Sequence, residues 1–356
     1  MNKLKRGLKS ALALIFALAL IITGCGAKSS PKELIEGSLG KSLDMKSYAF
    51  NTSIKLEDLQ VDNGSAALDP NAKMVLNMLK NAELSVNGVV QQEPIKMEAN
   101  VEISLKGDME MKFSLPFSMD ENKMWVKIPN IPMLAGQIPD ELVGKTVELD
   151  LKKLAEDSGQ EMPSAKDLKA MQNLSNDLFK ALLGKFDEKT YFSIVEKKDA
   201  GLPESVDAKQ IVKFNVTNEN LEQFVTTFVK DALPAIADVL GKEEYSKLLK
   251  VEKDQVEKMK QEMKTDDSEL KKGIEEMKKS LKINELSVTT AVNKDQYPAY
   301  QVVVANLDVT GDDGVKSKIA ARLTSELSKI NEKVEFKPVP SDVLTMEQLQ
   351  QMFGGY

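Results

Sequence analysis

One thiol, no imidazole and a dense scatter of carboxylates and lysines define the chemistry open to this 356-residue chain. Without histidine, Ser-His-Asp and Cys-His nucleophilic systems cannot be built. Zinc and copper sites of the usual nitrogen–sulfur type go with them, because the single cysteine, Cys25, cannot make one alone. The chain carries no P-loop, no strand–GxGxxG–helix and no GxSxG element. Paired carboxylates, a Ser-Lys dyad or bound calcium are what remain, and acids and lysines are spread too evenly for any pairing to stand out. Asp308, Asp312 and Asp313 beside Gly311 and Gly314 hint at calcium, but their spacing departs from the EF-hand loop and a hairpin turn is the simpler reading. The expectation is a protein that is no enzyme and uses no cofactor or metal.

Cys25 has its own chemistry. Lys3, Lys5, Arg6 and Lys9 precede an apolar run, Ala11 to Ile22, that is too short to span a bilayer as a mature helix. The run closes on Ile22-Thr23-Gly24-Cys25, which resembles the lipobox of bacterial lipoproteins. The resemblance implies cleavage before Cys25, a diacylglyceryl thioether on its sulfur, residues 1–24 as signal peptide and 25–30 as a lipidated tether. An ordinary secretory signal with an incidental cysteine is the alternative. Two acyl chains anchor firmly, at about 0.8 kcal/mol per buried CH₂, where one holds only marginally. The chain is thus expected on the extracytoplasmic face of the cell membrane, with no internal disulfide to stabilise it.

Charge narrows the partners. The net charge is −7, and Arg6 and Arg322 are the only arginines. Such a chain suits neither nucleic acid, which needs basic patches and guanidinium forks, nor flat adsorption on anionic headgroups. The heavy lysine bias together with the anchor suggests a Gram-positive surface.

The elements follow from hydrophobic period. Ser30-Pro31 starts a helix with Ile35, Leu39 and Leu43 on one stripe, ending near Lys46. At Ser47 the period drops to two, and Tyr48, Phe50, Ile54 and Leu56 mark a strand to about Glu57. Residues 62–71 read as loop and 74–79 as a short helix. Leu84–Val90, Ile95–Lys106, Met109–Met119 and Met124–Ile128 then alternate apolar and polar, predicting an antiparallel sheet with one solvated face. Pro129 to Gly144 is a proline-punctuated loop and Val147–Leu149 a brief strand. A helix follows from Ser164 to about Leu182, with strands near Thr190–Val195 and Ile211–Val216. Thr217 to Leu249 reads as a helix kinked at Pro234, and Val251 to Lys282 as a solvated helical pair rather than a partner site. Leu286–Val292 and Val302–Val309 are strands. Residues 315–330 fit either a helix stripe or alternation, and strand is preferred because both apolar sets keep period two. Thr345 to Met352 closes the chain as a helix.

In layout, residues 31–340 are similar to LolA/LolB/LppX-like lipoproteins. The likeness rests on the helix running into Lys46–Phe50, the hairpins leading to Met124–Pro129, and Ile330–Pro338 as a closing strand with its terminal proline. It implies an α+β fold over residues 31–356: a strongly curved antiparallel sheet, a half-barrel, with helices on its concave face and room for acyl chains between. The helical section 217–282 is longer than in the simplest members. A carrier needs adaptable apolar surface, which methionine provides. The candidate lining is Met97, Met109, Met111, Phe113, Phe117, Met119 and Met124, with Ile131, Met133, Leu134 and Ile138 as a candidate lid. The same residues equally suit a filled core and a packed connection. Trp125 points away from Met124 and Val126 and is given no ligand role.

Two functions are carried forward: a non-catalytic lipoprotein binding lipid or acyl chains, or an envelope lipoprotein with a filled core that meets a protein partner through its long helices, near Met259 or Ile274. A solute-binding importer component is weaker, since alternating β-α units are missing.

Overall fold

Period-two alternation places a strand wherever one side can be buried, and here it does so twelve times in one sheet. The computed structural model describes residues 29–62, 77–80, 82–106, 110–131, 136, 138–159, 164–262, 266–311 and 314–353. The strands are β1 (Ser47–Asp62), β2 (Glu83–Gln92), β3 (Ile95–Lys106), β4 (Glu110–Asp120), β5 (Lys123–Lys127), β6 (Thr146–Asp150), β7 (Phe192–Ile194), β8 (Gln210–Val216), β9 (Leu281–Val292), β10 (Pro298–Thr310), β11 (Lys316–Ser328) and β12 (Val343–Thr345). Their order is β12-β6-β5-β4-β3-β2-β1-β11-β10-β9-β8-β7, so the sheet is open, with β1 and β11 meeting at its centre. Every pairing is antiparallel except β12 on β6. The class is α+β, as expected.

The helices that accompany the strands include α1 (Pro31–Ser42), α2 (Leu151–Asp157), α3 (Ala165–Leu183), α4 (Glu188–Tyr191), α5 (Leu221–Thr227), α6 (Leu233–Leu240), α7 (Glu243–Leu249), α8 (Lys253–Glu262), α9 (Asp267–Ser280) and α10 (Met346–Phe353). Capping boxes start α1 at Ser30 with Glu33 and α3 at Ser164 with Asp167, each satisfying amides that a helix start leaves free. None of the described helices is long and apolar enough to cross a membrane.

Several boundaries differ from the sequence reading. The first helix stops at Ser42. Around residue 190, Asp187 caps one helical turn through the Thr190 amide (2.9 Å), and the strand begins only at Phe192. The section from Thr217 to Leu249 is not one kinked helix. A π-turn, Phe228–Ala232, lies between α5 and α6, because Pro234 has no N–H to donate to the Lys230 carbonyl. Ile330 to Pro338 forms no closing strand. It is a strap, tied by Asn331, whose amide donates to the Ser47 carbonyl (2.7 Å) and whose side chain accepts from the Lys46 amide (2.6 Å). The strap crosses the sheet until the chain pairs with β6 as β12.

Two bulges set which residues share a face. Glu57 is an extra residue between Leu56, opposite Ala321, and Asp58, opposite Ala320. It flips the phase of β1, so Leu59 and Val61 join Ile54 and Leu56 on one side. Asn284 does the same in β9, bringing Ile283 onto the side of Leu286 and Val288. That shared side is the apolar face. Over β7–β10 it is covered by α1, α5 and α9, with Val212 1% exposed beneath them. The opposite face there is covered by residues 195–208, which pack Val206 and Leu202 against Ile211, Tyr300 and Val302. One end of the sheet is therefore buried on both sides.

Candidate functional site

The other end of the apolar face is not filled. Across β1–β5, Ala99 alone among its described residues is fully buried. Met97, Met119 and Met124 stand side by side on neighbouring strands, flanked by Val90 and Leu149. Met111 lies opposite Leu105, Phe113 opposite Ile103 and Phe117 opposite Ala99. All six of these expected lining residues are half-buried on one face. Ile54, Leu84 and Ile103 are 47%, 40% and 42% exposed and are direct neighbours in the ladders.

That row runs on. From Phe113 through Ile103, Leu84 and Ile54 it reaches Leu323, crossing the central β1–β11 pairing. Val303 and Val288 continue it to Phe214 and Phe192. Its last three members wall a cavity of about 280 Å³ between the sheet and the helices. Phenylalanines dominate the wall. Phe186 stacks on Phe224 (5.0 Å between ring centres) and Phe192 meets Phe214 edge-on (5.0 Å), arrangements the ring quadrupole favours. The π-turn adds Phe228, and α3 adds Phe179, 37% exposed at the rim. Two polar groups share the lining: the Gln301 amide donates a long bond (3.4 Å) to the Thr290 hydroxyl. Lys32 of α1 donates to the carbonyls of Gly184 and Phe186 (2.8 and 3.1 Å), tying the end of α3 in place.

Helix α3 presents two different sides. On one, Leu174 and Leu178 pack with Val239 and Tyr245. There Asp177 accepts from Lys242 (2.5 Å) and from the Tyr245 hydroxyl (3.0 Å). The Lys242 bond holds the Asp177 carboxyl below its ordinary range, and burial followed by the Asp177 bond pushes the Tyr245 phenol up to about 12. On the other side Gln172 reaches Gln92 of β2 (3.0 Å); toward the helix start Leu168 and Met171 stay 39% and 46% exposed.

The reverse face of β2–β6 is polar. Trp125 is buried there (5% exposed), at the cleft beside the strap. Its indole N–H donates to Glu148 (2.9 Å), which also accepts from Lys123 (2.7 Å), and the Lys123 bond first and the indole bond next lower the Glu148 carboxyl. Between strap and sheet lies a cleft of about 680 Å³.

Cys25, Met109, Met133 and Leu134 lie outside the described residues. Of the expected lid, Ile131 and Ile138 are half-buried, Ile138 in an isolated bridge. Asp308 sits on β10 beside Lys282 (3.9 Å), and Gly311 and Val315 close the β10–β11 hairpin (2.8 Å). Ile274, offered as a partner contact, is folded inward at 4% exposure. Among the described residues no three carboxylate, cysteine or histidine groups gather as metal ligands. The phenylalanine cavity escaped the sequence reading. A signal was available: six of the chain's twelve phenylalanines fall between Phe179 and Phe228, and all six line it.

No match is found among curated proteins. Residues 238–348 match a family of unknown function (DUF6612), a span running from the end of α6 through β9–β11, the strap and β12 into the start of α10.

Proposed function

We propose that the chain is a lipoprotein anchored through Cys25 on the outer face of the cell membrane, where it holds a hydrophobic guest, a lipid or its acyl chains, and catalyses nothing. The observation that carries this is the unbroken apolar row from the open β1–β5 surface into the phenylalanine cavity. Fully burying an aliphatic side chain contributes about 1.5–3 kcal/mol, so leaving Ile54, Leu84 and Ile103 nearly half exposed forgoes about 1 kcal/mol each. A guest lying along the row recovers it. Methionines beside the row suit guests of varied shape.

In this reading the sheet curls as a half-barrel with the helices on its concave side. Gly88 supports the curl: a Cβ there would stand 2.1 Å from the Glu98 carbonyl oxygen, a crowding typical of tight bends. The likeness to LolA/LolB/LppX-like lipoproteins points the same way. A filled core with an Ile274 partner face fits less well, given that residue's burial and the exposure of the row.

Native mass spectrometry after mild extraction tests the guest, and Cys25→Ser tests the anchor. The expected results are co-purifying or exchangeable lipid, and release of the variant from the membrane fraction. A protein that neither retains nor takes up lipid overturns the carrier reading; a variant that stays membrane-bound overturns the anchor.

A further inference from the structure

The hydrophobic reading leaves the cleft on the opposite face without a use. We propose that this cleft, roofed by residues 335–340 of the strap, is a second binding site and takes a neutral saccharide. Its volume, about 680 Å³, is that of a small-molecule site.

The floor offers uncharged hydrogen-bonding groups on successive strands. Asn87 of β2 lies opposite Asn100 of β3, and Ser118 stands on the next strand, β4. Strands stand about 4.8 Å apart, so these groups form a closely spaced grid suited to a ligand with many hydroxyls. Asn100 is held in place, accepting from Ser114 (2.7 Å) and donating to Glu102 (3.0 Å). Charge cancels within the cleft: Glu98 and Glu335 offset Lys127 and Lys337, and the Glu98 carboxylate already accepts the Lys337 amide. An ionic ligand therefore gains no net attraction there.

Rigid rings complete the walls. Pro116, Pro338 and Pro340 offer flat apolar faces of the kind that C–H faces of a pyranose cover, with the buried Trp125 as firm support beneath them. The Trp125–Glu148–Lys123 chain fixes the indole before any ligand arrives, which lowers the cost of binding. An extended peptide is less well served. Strands β2–β5 are paired on both sides and β6 lies between β5 and β12, so the cleft holds no free edge for strand addition.

Trp125 is the only tryptophan, so its emission reports on this cleft alone. The full chain is titrated with tri-N-acetylchitotriose and with maltotriose, following fluorescence and heat. The expected result is saturable binding of at least one sugar, weakened about tenfold or more in Asn100→Ala and Asn87→Ala variants whose circular dichroism is unchanged. Absence of saturable binding of either sugar to the unaltered protein overturns the proposal. So does binding that both folded variants retain, or a polyproline peptide that binds where the sugars do not.

Discussion

Ile54 and Leu84 face each other across the β1–β2 ladder, yet they keep 47% and 40% of their surface exposed. Serine at both positions is expected to lower unfolding free energy by about 2–3 kcal/mol in total, because each side chain buries only about half of its surface. Uptake of an apolar dye should fall severalfold. In a filled core the same pair would cost several kcal/mol, as large-to-small core changes do. Urea unfolding and dye titration on one sample separate the cases.

The phenylalanine cavity gives the converse experiment. Leu182 is half-buried on its wall, so Leu182→Trp adds bulk to existing space. Thermal stability is expected to hold or rise while lipid uptake drops. Phe214→Ala, which removes a ring packed against Phe186, Tyr191 and Phe192, should instead cost about 3 kcal/mol or more.

Stability should bend at both ends of the pH scale. Tyr245 keeps its proton more tightly folded than unfolded, with a pKa raised from 10.0 to about 12. Its contribution is complete below pH 10 and is lost as pH rises toward 12. Asp177 is shifted the other way, so its contribution is complete above about pH 4 and disappears as pH falls below that. Melting profiles of Tyr245→Phe should lose part of the alkaline decline and keep the acid one. Asp177→Asn should lose part of the acid decline and moderate the alkaline one, since its carboxylate helps hold the tyrosine proton.

Gly88 has little freedom to change. In Gly88→Ala the new methyl meets the Glu98 carbonyl oxygen at 2.1 Å and the Ala99 Cα at 2.8 Å, both backbone atoms that cannot swing aside. The β2–β3 ladder must shift, and we expect destabilisation of about 3 kcal/mol or more, read as a lower urea midpoint.

The sequence was most legible where side chains alternate without interruption. Strands β2 to β5 and the choice of strand for 316–328 came from period two alone, because each has one face to bury. Strands β1 and β9 were read short, to Glu57 and from Leu286, because each bulge shifts the phase at that point. The strap is a strand only in the family likeness drawn for Ile330–Pro338, and no ladder forms there. Of the site, the methionine side was visible as pattern. The cavity was not, since α1, α3, α5, the π-turn and strands β7–β10 each supply only one to three of its residues, and no local period links them.

The central pairing of β1 with β11 sets Ala49 against Ser328, so neighbours at the middle of the sheet come from opposite ends of the described chain. Hairpins β2 to β5 can zip up as soon as they emerge, whereas this seam must wait for almost the whole polypeptide. Until then β1 presents a row of unpaired backbone groups along that edge. A nascent molecule thus carries an open strand edge until β11 exists, and closing the seam is the step that covers it.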